Sequence, residues 1–469
     1  MSRINTNISS LQAMHRLGRN NSDLSLRLER LSSGLKINTG KDAPAGLIAS
    51  ETLRSEIAGI RQAIDNSTRA GNVINTAEGA LSEISSLLLE VQSLTNEAAN
   101  TGALSAEEIK ANQLQVDAII NSINRISNTT QFNGVKLLNG SLDYTLSGVD
   151  ATQIDAAQIN SVALPEGGTV DVVVQVTGSA QVAQITFAGA GLGANNNITI
   201  EIAGNAGTEQ LSFAASTATS AIAFAINQIR DATGVSAVMS GTDGLRMVST
   251  AFGSTQFVSV RAIAGTFSEG KDYGADASVT INGIQADVDG LTASVRTSGL
   301  DLALTLDADF AQQTTSTSSF TITGGGAKFQ LGSEVNRPGQ VHIGIGSTAA
   351  TNLGNNVVGF LSSLASGGDN SLVSGNTIQA QKIITAAIRQ VATLRGRLGA
   401  FQKNVLETNI NSLQVALENV TASESAIRDA DFAAETAALT RAQILVQANT
   451  SVLATANAQP QNVLALLGR

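Results

Sequence analysis

The stretch whose reading decides the fold is Pro44–Ala98, PAGLIASETLRSEIAGIRQAIDNSTRAGNVINTAEGALSEISSLLLEVQSLTNEA. Pro44 suits the first helical position, where its missing N–H is no loss, and no second proline interrupts the residues from Ala45 to Ala98. Apolar side chains recur at helical spacing: Leu53, Ile57, Ile60 and Ile64, then Ile74, Leu81, Ile84, Leu88, Val91 and Leu94. At about 1.5 Å per residue such a helix extends roughly 80 Å. A small globule cannot cover that length, so the pattern predicts a rod or coiled coil. Asn100-Thr-Gly breaks the helix, and a third follows in which Ile109, Asn112, Val116, Ile119, Ile123 and Ile126 step by three and four. The short link makes the third helix an antiparallel neighbour of the second.

Both ends of the chain carry narrower stripes. From about Asn5 to Ser33, Leu17, Leu24 and Leu31 recur every seven residues, with Met14, Leu28 and Leu35 at complementary positions. That is a coiled-coil seam, and Ser33-Gly34 reads as its stop. Near the other end Ile384, Val391, Leu398 and Val405 repeat by seven. After a skip of one residue Leu406, Leu413 and Val420 do the same. A second run, Phe432, Leu439, Val446 and Leu453, reaches up to Pro460, and a short apolar tail with Val463, Leu464 and Leu467 follows. Seam helices at both termini, with different material between, predict a hairpin chain whose terminal helices coil together.

The material between is different in charge as well as in pattern. The chain of 469 residues carries a net charge of -10, yet Ser141–Ser371 alone holds 7 Lys+Arg against 19 Asp+Glu. The flanks are therefore close to neutral and can pack side by side, while the acidic middle stays solvated. Segments such as Thr169–Val176, Gln181–Ala188, Asn197–Ala203, Val235–Met239 and Phe257–Ile263 read as strands, with a helix over Ser220–Arg230. A second strand-rich set runs from Ala277 to Leu306, then Ser319–Leu331 and Val341–Ile345. The fold class is α+β multidomain: a long helical coiled-coil rod built from both termini, with a β-rich insert of one or two subdomains. Length alone suggests about three domains.

Composition excludes several chemistries. No cysteine is present, so disulfides, thiolate metal sites and a cysteine nucleophile are out. The acidic balance argues against a binder that neutralises nucleic-acid phosphates. No run of eighteen apolar residues predicts a membrane span, and the polar start lacks a signal peptide's apolar core. His15 and His342 stand alone, outside any HExxH or triad pattern. Asp287/Asp289 and Asp307/Asp309 would each share a strand face but read as solvated carboxylates. Gly189-Ala-Gly-Leu-Gly-Ala precedes a strand rather than a helix, so the dinucleotide context fails, and Gly324-Gly-Gly-Ala-Lys328 reads as a turn. The expectation is a protein that is not an enzyme, with no cofactor and no metal.

Ile4-Asn-Thr-Asn7, Glu29-Arg-Leu-Ser-Ser-Gly-Leu-Lys-Ile-Asn38, Lys41-Asp-Ala-Pro-Ala-Gly46, Ala77-Glu-Gly-Ala-Leu81 and Thr130-Gln-Phe-Asn-Gly-Val-Lys136 resemble bacterial flagellin. So do Thr440-Arg-Ala-Gln-Ile-Leu445 and Gln459-Pro-Gln-Asn-Val-Leu-Ala-Leu-Leu467. The resemblance covers roughly residues 1–140 and 375–469. A region from about Ile185 to Ile263 is similar to a repeat of flagellin and hook-associated inserts.

The resemblance implies a filament subunit of the bacterial flagellum, exported unfolded through the flagellar type III apparatus and stacked with copies of itself. Residues 1–44 and 430–469 would form the inner coiled-coil wall, 45–175 and 350–429 the rod layer with a β-hairpin region, and 176–349 the solvent-facing insert. Leu17, Leu24, Leu28, Leu31, Leu35, Phe432, Leu439, Val446, Leu453, Val463, Leu464 and Leu467 would pack subunits together. Ile57, Ile60, Ile64, Ile74, Leu81, Ile84, Leu88, Val91, Ile109, Val116, Ile119, Ile123, Val391, Leu398, Val405 and Leu413 would form the rod core. Family partners would be an export chaperone, a filament cap protein and hook-associated proteins, with no nucleic acid and no membrane. Many members of the family present an Arg-bearing patch to a vertebrate innate immune receptor. At the matching positions this chain has Glu90 where Arg is usual, Leu94, and Gln115 where Glu is usual, so weak or absent recognition is expected. The alternatives are a hook–filament junction protein, whose C-terminus usually lacks the run at Gln459–Leu464, and a filament subunit whose insert is also an adhesin.

Overall fold

The computed structural model describes residues 6–165, 168–188, 191–193, 197–240, 244–297 and 299–467, with side chains described to residue 459. The chain divides into two compact units, one of residues 1–69, 330–340 and 403–469, the other of residues 70–329 and 341–402. Among the described residues the helices are, in chain order, α1 (Ile8–Ser33), α2 (Pro44–Ala98), α3 (Ala106–Thr129), α4 (Thr219–Gln228), α5 (Arg230–Thr233), α6 (Ala308–Gln312), α7 (Thr377–Phe401), α8 (Thr408–Arg428) and α9 (Phe432–Leu467). Long helices lie at both ends of the chain and strands dominate the middle, as the patterning predicts.

Local chemistry sets the helix ends. The Asn7 side chain caps α1 by accepting from the Ser10 N–H at 3.0 Å, and Gly34 closes it in the left-handed region with φ 73°. In the loop after Gly34, the Asp42 carboxylate accepts from the Thr39 N–H and hydroxyl and from the Asn38 N–H, which holds its pKa below the usual carboxylate value. Pro44 opens α2. Ser105 and Glu108 form a reciprocal capping box at the start of α3. Asn133 and Gly134, with φ 48° and 83°, make the tight turn that pairs Gln131–Phe132 with Val135–Lys136.

The one-residue skip between the C-terminal heptad runs has a structural cause. Residues Gln402–Glu407, between α7 and α8, form a π-helical turn. A π turn takes up one extra residue, so the second stripe resumes without rotating away from the first. Val405, which the first run assigns to the core, is half-buried, and Leu406 is buried in its place. A second departure lies near the end of the chain. The backbone of α9 continues as helix through Pro460 to Leu467. Proline removes one amide donor, and the Ala- and Leu-rich sequence on either side carries the helix across it.

Most of the remaining stripe is buried within the chain. Ile57, Ile60, Ile74, Leu81, Ile84, Leu88 and Val91 are buried on α2, Val116, Ile119 and Ile123 on α3, and Val391 and Leu398 on α7. Each full burial of such a side chain contributes about 1.5–3 kcal/mol. Ile64 is only half-buried; Ala63, Ser67 and Ala70 take the inward positions there, and the Ser67 hydroxyl is satisfied by the Ala63 carbonyl at 2.8 Å. Ile109, in the first turn of α3, and Leu413, on α8, are also half-buried. No residue of α8 is fully buried within the chain.

The β-rich middle holds two hydrophobic cores. The first lies between two antiparallel sheets. One sheet has the order Ile284–Gln285, Ser278–Ile281, Val170–Gly178, Thr317–Gly325, Tyr144–Ser147. The other has the order Asp287–Asp289, Thr292–Arg296, Leu300–Leu306, Ile154–Val162. Alternate residues Val172, Val174 and Val176 point inward, so the expected boundary at 175/176 falls inside one strand of one core. The second core is nested within the first in sequence, between Ala183 and Phe267. It joins a three-stranded and a four-stranded sheet, with Ile222 and Ile226 of α4 packed in. The chain enters and leaves it through the Gln181–Ala275 bridge. Beside that bridge the Asp276 carboxylate accepts from the Ser254 hydroxyl and N–H and from the Gly290 N–H.

Candidate assembly interface

The terminal helices α1 and α9 pack against each other in antiparallel fashion. Asn7 donates to the Ala456 carbonyl at 2.7 Å and Ser10 to Asn457 at 2.6 Å, while Arg27, at the other end of α1, meets Glu435 at 3.1 Å. On α1 the residues drawn away from solvent step by three and four: Ser10, Ala13, Leu17, Asn20, Leu24, Arg27 and Leu31. On α9 the matching set is Glu435, Leu439, Ala442, Val446, Asn449, Leu453 and Ala456. Leucine and valine thus alternate with small and polar residues, a seam that specifies register at some cost in strength. Burial opposes the charge of Arg27, but the hydrogen bond and charge of Glu435, with Asp23, outweigh it and raise the guanidinium pKa above its ordinary value. Below the seam, Lys36 N–H bonds the Arg428 carbonyl and Ala430 N–H bonds that of Gly34, with Leu35 bridging Asp429.

Two residues expected alongside the seam leucines lie outside it. Leu28 is 49% exposed and Phe432 59% exposed. Both sit at the edge of the inward rows, about a sixth of a turn from their centre line, because a 3.6-residue helix cannot bring every apolar position to one narrow line. They join Ile8, Leu11, Met14, Ile444, Leu445 and Val452, all large, apolar and exposed on α1 and α9. Val463, Leu464 and Leu467 belong to the last turns of α9, and their side chains lie outside the described residues.

The three receptor-like positions do not form one surface. Glu90 and Gln115 are exposed, but Leu94 is 8% exposed and belongs to the packed face of α2. The leucines that face outward there are Leu89 and Leu114.

Of the positions weighed for chemistry, Asp307 takes a structural role. Asp307 caps α6, accepting from the Asp309 and Phe310 N–H groups, so it does not share a strand face with Asp309. Asp287 and Asp289 are exposed on a three-residue edge strand. Gly189, Ala190, Ala194, Asn195 and Asn196 of the glycine-rich segment lie outside the described residues. Among the described residues no cluster of three His, Cys, Asp or Glu is placed to hold a metal ion. Arg397 donates to the carbonyls of Asn160 and Gly344 at 3.2 Å, and burial lowers its pKa. Its neighbour Tyr144 accepts from the Val162 N–H, and desolvation pushes its pKa up to about 12. These groups tie α7 to the first β core. Among the described residues no helix is long and apolar enough to cross a membrane.

Comparison with known proteins agrees with this layout. The bacterial flagellin N-terminal helical region matches residues 4–143, the bacterial flagellin C-terminal helical region residues 381–467, and the flagellin hook IN motif residues 199–251, inside the second β core. Flagellin of Salmonella rubislaw is 31% identical over 503 aligned positions, covering 99% of each chain. Flagellin of Bacillus subtilis (strain 168) is 30% identical over 466 positions, again covering 99% of each. Among solved structures, flagellar hook associated protein-3 from Legionella pneumophila aligns with 80% of this chain and 97% of its own at 15% identity, with a TM-score of 0.31.

Proposed function

The chain belongs to the bacterial flagellin family and is a structural subunit of the flagellar filament, and from that premise we propose how its surfaces serve assembly. The observation that carries the reading is the uncovered apolar surface of α1 and α9. Their mutual seam is already filled, yet among the described residues eight large apolar side chains remain in solvent on these two helices. A monomer gains nothing from that exposure, and neighbouring copies bury it. The terminal helices α1 and α9 form the innermost layer, α2, α3, α7 and α8 the layer around it, and the two β cores face solvent. The polar, small-residue seam is marginal as an isolated pair of helices, so the termini order fully when adjacent copies supply the missing cover. Contacts that repeat head to tail without closing produce a helical polymer.

Export as an unfolded chain through the flagellar type III apparatus, an export chaperone on the C-terminal helix, a cap protein at the growing tip and hook-associated proteins at the base complete the scheme. Recognition by the vertebrate innate immune receptor is weak or absent, because Glu90 reverses the usual charge and Leu94 is not offered to a partner. Removing Val463–Arg469 tests the assembly role: the truncated chain stays soluble and fails to elongate filament seeds in light scattering. Seeded growth at the full-length rate would refute it.

A further inference from the structure

The unit that contains α1, α8 and α9 also contains an intruder, the loop Leu331–Gly339, brought in from the far side of the β-rich middle. It is braced from within. Leu331 and Gly332 N–H groups both bond the Gly339 carbonyl, and the Gln330 amide spans the carbonyls of Gly332 and Glu334. The Asn336 side chain accepts from the Gly339 N–H at 2.8 Å. The loop is also seated on helices. A Cβ on Gly59 of α2 would lie 2.7 Å from the Ser333 carbonyl oxygen, so only glycine permits this approach. Asn409 of α8 donates to the Leu331 carbonyl at 3.0 Å. At the tip of this braced loop Val335 is 87% exposed. The bracing makes Val335 a fixed apolar knob on the surface of this unit.

The same pair of helices carries a groove of about 540 Å³ lined by Arg61 of α2 and by Leu417, Glu418 and Ala422 among residues of α8. Gln414, Thr421 and Ser425 complete this shallow, open groove, whose floor is aliphatic carbon of Leu417, Ala422 and the polar stems, consistent with α8 having no fully buried residue of its own. Gly59 and Arg61 are two residues apart on one helix, about 200° around its axis. The knob and the groove therefore occupy opposite faces of one helix pair at one level. Their charges also correspond: Glu334 and Arg337 flank Val335 on the loop, and Arg61 and Glu418 flank the groove.

We propose that the Val335 loop of one copy docks in the α2–α8 groove of the next, a lateral contact between filament subunits. It rests on the filament-subunit function above. Because knob and groove face opposite ways, each docked copy leaves one of each unfilled, so the contact propagates and does not close into a dimer.

The chain has no cysteine, so an introduced pair reports without background. Val335→Cys with Ala422→Cys, oxidised after seeded polymerisation, gives a ladder of covalent oligomers on non-reducing gels, whereas the monomer at equal concentration gives none. A disulfide needs Cα atoms within about 7 Å, which opposite faces of one chain cannot supply. Filaments that oxidise without a ladder would overturn the contact while leaving the filament function intact. If the cysteine pair prevents polymerisation, charge exchange decides. Glu334→Arg and Arg61→Glu each raise the critical concentration about fivefold, and the double variant restores it to within about twofold. Single variants that assemble like the parent would overturn the contact. Absence of any polymer from the unmodified chain would overturn the filament reading and this contact with it.

Discussion

Deleting one residue from the C-terminal helices has opposite consequences at two nearby exposed positions. Lys403 lies in the π turn, and its removal lets Gln402–Glu407 wind as ordinary α-helix while both flanking stripes keep their facing. Thr385 lies in α7, and its removal turns every residue from there to the π turn by about 100°. The inward slots of Leu394, Leu398 and Phe401 would then receive Arg395, Gly399 and Gln402. Losing a buried leucine or phenylalanine costs about 2–5 kcal/mol each. Burying an arginine in place of Leu394 adds to this. The Thr385 deletion therefore destabilises by more than about 5 kcal/mol, enough to unfold a domain of ordinary stability. The Lys403 deletion changes stability by no more than about 1 kcal/mol, an ordinary surface-scale effect. Urea denaturation followed by circular dichroism at the helix band measures both. Equal losses from the two deletions, or a loss above about 3 kcal/mol from removing Lys403, would refute the assignment of the extra residue to the π turn.

Three further outcomes test other parts of the structure. Leu28→Pro breaks α1 at a cost of about 3 kcal/mol or more and abolishes motility and filament growth, whereas unchanged swimming would contradict the assembly role of α1. Asp276→Asn loosens the neck of the second β core by about 2 kcal/mol at neutral pH, through weaker bonds to Ser254 and Gly290. The Asp276 pKa is lowered chiefly by the Ser254 hydroxyl bond, so its contribution is present above the unfolded value near 3.8 and is lost as pH falls below it. Acid titration of proteolytic nicking at residues 180–183 and 274–276 should therefore show less pH dependence in the variant; an identical acid profile would dismiss the clasp. A cell reporter for the innate immune receptor stays near baseline with this protein, and a full response at nanomolar concentration would show that Glu90 and the buried Leu94 do not prevent recognition.

Much of this architecture is legible in residue spacing. The heptads that include Leu17, Leu24 and Leu31 on α1 and Leu439, Val446 and Leu453 on α9 mark the two halves of one seam, because a narrow stripe survives only where a partner helix covers it. The skip between Val405 and Leu406 is visible as arithmetic, but not that a π turn absorbs it, since spacing carries no information on hydrogen-bond pattern. The inward role of Ala63, Ser67 and Ala70 is hidden because small residues look neutral in a hydrophobic pattern. The strand Ile154–Val162 is invisible to period-two reading. Bulges opposite Leu302 and Leu306 shift its phase, so the buried residues fall at Ile154, Ile159 and Val162. The knob loop could not be foreseen at all: it falls between the strand readings Ser319–Leu331 and Val341–Ile345, and only the fold brings Ser333 onto Gly59.

The most direct test of the account is a side-chain-resolution reconstruction of filaments grown from the purified chain on fragments of its own polymer. The account predicts a hollow helical tube in which α1 and α9 form the inner wall, with Leu28 and Phe432 buried against neighbouring copies. Material that remains monodisperse under seeding, or a polymer in which those two side chains still face water, would contradict it.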